Sequence, residues 1–229
     1  MVKKKWWILP AILLLILVIA FFVFVADYYH ATDTAIKARE SDNVLIKQTE
    51  YGWFFDGPSS DRALIFYPGA KVEETAYAPL LHRLSDSDID VCLVKMPFHM
   101  ALFGKNTASR IMKQYEYKQW YIGGHSLGGA VAANYAAAHD LDGVILLAAF
   151  PTKDVDEPML LIYGSEDGVL NQERVAAADR FGTVKEIVID GGNHAGFGEY
   201  GEQAGDNPAD ISAEEQIQIT VDAISKWLS

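Results

Sequence analysis

The 229-residue chain contains one cysteine, Cys92, and only 19 Lys and Arg against 31 Asp and Glu. A single thiol has no partner for an internal disulfide framework and is too few for a cysteine-rich zinc site. Cys92 lies inside Val91-Cys92-Leu93-Val94, where it reads as a small buried hydrophobe rather than a nucleophile. The formal net charge of −12 argues against nucleic acid as a partner, because few cations are available to neutralise a run of phosphates. The same balance disfavours electrostatic adhesion of the soluble part to an anionic lipid surface. Low-complexity tracts and repeats of fixed period are missing too.

Apolar residues make up 50% of the chain, a share raised by its first 26 positions. Lys3-Lys4-Lys5 precedes an uncharged stretch from Trp6 to Ala26, about 21 residues, which as a helix spans a bilayer core. Trp6-Trp7 and Tyr28-Tyr29 flank it like interfacial aromatic belts, and Pro10 falls near the start, where a helix tolerates it. These features predict an anchor over residues 1–30, with a single span of about 6–26. The lysines then stay cytoplasmic and the rest of the chain lies on the extracytoplasmic side of the cell membrane. A cleaved signal peptide is the competing reading. It fits less well, since the apolar run exceeds the usual 7–15 residues and no A-x-A-like site follows. Residues 31–43 read as a juxtamembrane linker without chemistry, and 44–229 as one domain able to bury a sizeable core.

Within that domain, Val44 to Gln48 and Tyr51 to Phe55 suggest an antiparallel pair. Ala63 to Tyr67 is a continuous apolar run, as in a strand covered on both faces. Further strands are expected at Val91 to Val94, Trp120 to Ile122, Gly143 to Leu147, Met159 to Tyr163 and Val184 to Ile189. Helices are expected at Glu74 to Ser85, Thr107 to Tyr117, Ala130 to His139, Gln172 to Phe181 and Ala213 to Leu228. The alternation predicts an α/β fold, a mostly parallel sheet flanked by helices on both faces. About eleven residues separate Leu147 from Met159, close to the minimum for a parallel crossover, so no lid domain is expected there.

Gly124-His125-Ser126-Leu127-Gly128 fits G-x-S-x-G between a strand-like run and a helix of small residues, the sharp turn that lifts a serine hydroxyl above a sheet. A serine there needs a base held in one tautomer by a carboxylate. In open α/β sheets such groups gather at the carboxyl ends of strands. Asp167 follows the strand ending at Tyr163, and His194 follows the strand ending at Ile189. Glu166, adjacent, and Asp190, near a strand end, are the other carboxylates considered, with Asp167 favoured. His125 reads as a packing residue, and His30, His82 and His139 as surface groups. Phe98 and His99 follow the Val91 to Val94 strand in an apolar segment and are candidates to line an acyl pocket. The glycine-rich stretch Gly191 to Gly205 carries Glu199, Glu202 and Asp206, but its spacing is not that of an EF-hand, so no metal is expected. Nor is the serine turn a phosphate loop, since G-K-[ST] is absent.

With Ser126, Asp167 and His194 in that order, residues 44 to 228 resemble the α/β-hydrolase superfamily, in particular its compact dienelactone-hydrolase-like branch. The resemblance implies Ser126 as nucleophile, His194 as general base and then acid, and Asp167 as the orienting carboxylate. It also implies an oxyanion hole built from the backbone N–H of Leu127 and a second N–H near Gly69 or Ala70. Pro68-Gly69-Ala70 stands where lipases carry H-G-G-G, and a serine stands where true dienelactone hydrolases carry a cysteine. The implied activity is hydrolysis of a carboxylic ester or related small acyl substrate without a cofactor. Acyl transfer, thioester or peptide hydrolysis, and a non-catalytic binding role share the same scaffold.

Overall fold

The computed structural model describes residues 7–40, 44–58 and 61–229. Lys3 to Lys5, Trp6 and residues 41–43 of the expected linker lie outside the described residues. Among the described residues eight strands, numbered in chain order, form one sheet in the order β1-β2-β4-β3-β5-β6-β7-β8. Strands β1 (Leu45–Thr49) and β2 (Gly52–Asp56) are an antiparallel hairpin, and β2 runs antiparallel to β4 (Asp90–Val94). From β4 onward every neighbouring pair is parallel: β3 (Arg62–Tyr67), β5 (Gln119–His125), β6 (Gly143–Leu147), β7 (Met159–Gly164) and β8 (Val184–Ile189).

The central strands are apolar at successive positions because both faces of the sheet are covered. Along β3, Leu64 and Phe66 join one core, whereas Ile65 and Tyr67 join the other. The first core is closed by α3 (Ala78–Ser85) and α7 (Ala213–Leu228) through Leu80, Leu81, Ile217 and Val221. The second is closed by α5 (Leu127–Ala136) through Val131, Ala132 and Ala136. Each fully buried Leu, Ile or Phe contributes about 1.5–3 kcal/mol. At the β8 edge, Lys185 and Glu186 are exposed charges that discourage pairing with another chain.

Two expected helices are shorter than their patterns suggested. Thr107 to Tyr117 is helical only as α4 (Thr107–Ile111). Tyr115 stacks on Phe54 at 5.0 Å and the Tyr117 hydroxyl donates to Asp90, so side chains two residues apart turn to the same body, which a helix cannot arrange. Gln172 to Phe181 divides into α6 (Gln172–Val175) and a 3₁₀ turn, Ala178–Phe181. The connection from β6 to β7 carries no inserted domain.

The first helix, α1 (Ile8–Ala26), has a mean hydropathy of 3.3 and only Val25 buried, and it is long and apolar enough to cross a membrane. After it the chain lies against the domain. Tyr29 forms a bridge with Val72, the Ala31 N–H donates to Glu73, and α2 (Asp33–Lys37) buries Ala35 completely.

Candidate active site

Ser126 sits between β5 and α5 with φ 53° and ψ −124°, a conformation that non-glycine residues rarely adopt. Its neighbours explain the glycines. A Cβ on Gly124 or on Gly128 would strike the carbonyl oxygen of Tyr67, so β3 can lie close to the turn only if both side chains are hydrogen. The Ser126 N–H donates to the Leu147 carbonyl at 2.9 Å, which ties the strained residue to β6.

His194 and Asp167 meet at the ends of β8 and β7. The His194 Nδ1 lies 2.9 and 3.0 Å from the two Asp167 carboxylate oxygens. Asp167 Oδ1 also accepts the N–H groups of Val169 and Leu170, at 2.9 and 2.8 Å. The carboxylate is thereby fixed, and it selects the histidine tautomer that carries its proton on Nδ1. Nε2 of His194 is buried and makes no hydrogen bond among the described residues. Ser126 and His194 line one cavity of about 300 Å³ together with Asn171 and an apolar set that includes Leu127, Ala130, Phe150 and Leu170. Its wall is almost wholly apolar. Glu166 is partly exposed and accepts the Ser165 hydroxyl instead.

The loop after β3 is held by a buried chain of hydrogen bonds. The Gly69 N–H donates to Tyr77 Oη at 3.0 Å, the Tyr77 hydroxyl lies 2.8 Å from His125 Nδ1, and His125 Nε2 lies 3.0 Å from the His194 carbonyl oxygen. One arrangement satisfies every group: Tyr77 donates to Nδ1, and the protonated Nε2 of a neutral His125 donates to His194. Burial, reinforced by the His194 ring beside it, holds His125 well below the usual histidine range. Burial also raises the Tyr77 phenol. Gly69 therefore has its N–H engaged, whereas the Ala70 N–H makes no hydrogen bond among the described residues. Leu127 is the first residue of α5, where a helix leaves its N–H groups unused.

Sequence reasoning did not single out Tyr77, which looks like any apolar residue of a helix, or the polar role of His125. It also passed over Gln216 on α7, fully buried, which holds the histidine loop by accepting the Asn193 N–H and donating to the Asn193 carbonyl. Asp206 accepts the N–H groups of Gly168 and Ala195, joining the aspartate loop to the histidine loop. Among the described residues no group of three or more His, Cys, Asp or Glu side chains is placed to hold a metal ion. A second cavity, about 440 Å³, lies behind the histidine loop near Asn193 and Glu199, but neither Ser126 nor His194 lines it.

Phe98 and His99 stand away from the 300 Å³ cavity. Both have positive φ, and His99 stacks on Tyr28 with ring centroids 3.9 Å apart, while Phe98 packs on Phe21 of α1. The apolar segment is thus turned toward the N-terminal helix.

The serine turn on a parallel sheet, with a His–Asp pair at later strand ends, defines a hydrolase architecture. A family model described as "Alpha/beta hydrolase family" matches residues 63–218, and the chain belongs to that family and is a hydrolase. A search of curated protein sequences returned no match. Among solved structures, the chain is similar to Est1E from Butyrivibrio proteoclasticus (13% identity, 82% of this chain and 98% of that one, TM-score 0.56). It is similar to XC6422 from Xanthomonas campestris, a serine hydrolase without a lid (14%, 80% and 94%, 0.53). Carboxyl esterase 2 from Tuber melanosporum is likewise similar (11%, 87% and 91%, 0.61). At these identities the likeness is one of fold.

Proposed function

We propose that this chain is a membrane-anchored serine esterase acting on a small acyl substrate at the extracytoplasmic face of a membrane. The observation that carries the reading is the buried His194–Asp167 pair: among the described residues its remaining ring nitrogen has no partner, and His194 lines the same cavity as Ser126. In this mechanism His194 Nε2 takes the proton of the Ser126 hydroxyl as Oγ attacks the ester carbonyl. The tetrahedral oxyanion is met by the N–H groups of Leu127 and Ala70, the latter preferred because Gly69 already donates to Tyr77. His194 then protonates the leaving alcohol. Water, activated by the same nitrogen, hydrolyses the acyl-enzyme and restores Ser126. A Ser–His hydrogen bond absent from the free enzyme tightens once substrate is bound. The cavity's alanine-rich wall favours a narrow, unbranched acyl chain.

Residues 1–30 serve as anchor and the domain follows, with Lys3 to Lys5 setting its orientation. A fluorophosphonate probe should label the wild type and not Ser126→Ala, and that variant should lose at least about 10⁴-fold in turnover of p-nitrophenyl butyrate. Full turnover by Ser126→Ala would remove the proposed nucleophile. Release of the full-length protein by alkaline carbonate would remove the anchor.

A further inference from the structure

We propose that the segment Phe98 to Phe103 is an apolar lip immersed in the bilayer that α1 crosses, so that the acyl substrate reaches Ser126 from the lipid phase. The proposal rests on the anchored-hydrolase reading above and adds to it a substrate class, a bilayer-dissolved acyl lipid.

Three large apolar side chains of this segment face outward: Phe98 is 43% exposed, Leu102 55% and Phe103 53%. Scattered apolar residues on a surface need no explanation, but these form a patch continuous with α1. The Phe98 ring centroid lies 5.3 Å from that of Phe21 and 6.2 Å from that of Phe22, and Phe103 lies 6.0 Å from Phe21. Phe21 precedes the end of α1 by five residues, which at about 1.5 Å per residue places it about 7.5 Å inside the helix terminus. Side chains in contact with it sit at the depth reached by the apolar face of an interfacial helix, about 5–10 Å.

The polar contacts just beyond keep that height. Lys71 Nζ pairs with Asp27 at 3.0 Å and lies 4.6 Å from the Phe24 ring centroid, and the Lys71 N–H donates to the His99 carbonyl at 2.8 Å. Tyr28, in a position suited to the headgroup layer, stacks on His99. With a net charge of −12, the chain is repelled by anionic lipid as a whole, so contact with a membrane must come from apolar burial.

The lip also stands beside α5, the helix that begins at the serine turn. Leu102 shares a cavity of about 390 Å³ with Val131 and Tyr135 of α5. Leu127 and Ala130, on the first turn of the same helix, line the cavity of Ser126. Lys105 and Lys153 line the same cavity as Leu102.

The test uses full-length protein reconstituted into phosphatidylcholine vesicles. In Phe103→Cys on a Cys92→Ala background, a nitroxide label should be relaxed more by oxygen than by a water-soluble nickel complex. The opposite order places the segment in water and overturns the proposal. For Phe103→Asp, hydrolysis of a long-chain acyl ester dissolved in the bilayer should fall more than tenfold, while p-nitrophenyl acetate added in water is turned over within twofold of wild type. Equal loss on both esters makes the segment merely structural, and no loss on either makes it irrelevant; both overturn the proposal. A wild type inactive on both esters would remove the esterase reading, and the label's depth would still decide where the lip lies.

Discussion

Two regions at the carboxyl ends of the strands are built in opposite ways. Around Ser126, His194 and Asp167 most polar groups other than His194 Nε2 are buried and mutually engaged, down to the Gly69–Tyr77–His125–His194 chain. After β4, only a few residues along the same edge, Phe98 to Phe103 expose apolar rings and make hydrogen bonds mainly through the backbone. Polar groups removed from water must be paired in fixed geometry, which gives the first region a single arrangement. Apolar contacts are non-directional, so the second can adapt to whatever covers it. Proton transfer requires the first kind of environment and attachment to a fluid surface requires the second.

The largest effects are expected in the polar region. Asp167→Asn keeps the shape but forfeits the charge and the tautomer control, and kcat should fall by about 10³–10⁴. Steady-state kinetics on p-nitrophenyl butyrate checks this, and near-normal turnover would move the acid role elsewhere. Tyr77→Phe should lower kcat about 10-fold with little change in KM, because it loosens the oxyanion loop without touching the acyl cavity. It should also cost about 1–3 kcal/mol in urea unfolding, since it leaves the Gly69 N–H and His125 Nδ1 unpaired.

A pH series sharpens the contrast. The His125 pKa is lowered on folding, so below about 6.5 the unfolded chain binds a proton that the folded chain does not. Stability is retained above that pH and lost as pH falls from 6.5 toward the folded value, by up to about 1.4 kcal/mol per pH unit from this residue. His82 and His99, both also lowered by burial, add in the same direction. Unfolding curves at pH 7.5 and 5.5 should therefore diverge, and less so for His125→Asn; identical slopes would mean that His125 is not held neutral. The smallest effect belongs to Glu166→Gln. Its carboxylate faces the Ser165 hydroxyl rather than His194, and kcat should stay within about twofold. A large loss there would reverse the choice between adjacent carboxylates.

Much of the parallel sheet was legible because strands such as Ala63 to Tyr67 and Gly143 to Leu147 are apolar at every position, a pattern local to the sequence. The serine turn was legible for the same reason, its glycines being required by contacts within a few residues and one neighbouring strand. Side chains drawn from distant segments were not. Tyr77 lies 48 residues from His125, and Gln216 lies 23 from Asn193, and neither position carries a pattern that announces a polar partner. The early end of α4 goes with tertiary contacts that override a helical pattern, the stacking of Tyr115 on Phe54 and the hydrogen bond from Tyr117 to Asp90. Phe98 and His99 were visible as an apolar segment after a strand, but their direction was not, since both adopt a left-handed backbone and their rings meet Phe21 and Tyr28, more than 70 residues away in the chain.

The contacts between α1 and the domain also bear on how such a hydrolase samples its surroundings. A domain on a slack tether sweeps a hemisphere and meets solutes from any bearing. Here Phe21, Asp27 and Tyr28 hold the body through Phe98, Lys71 and His99 within a few residues of the helix end, leaving almost no tether. On the anchored reading, heading and height are set together, and diffusion is reduced to two dimensions. The concentration such an enzyme senses is a mole fraction in a leaflet, and diluting the substrate with inert lipid should slow it even when the total amount per volume is unchanged.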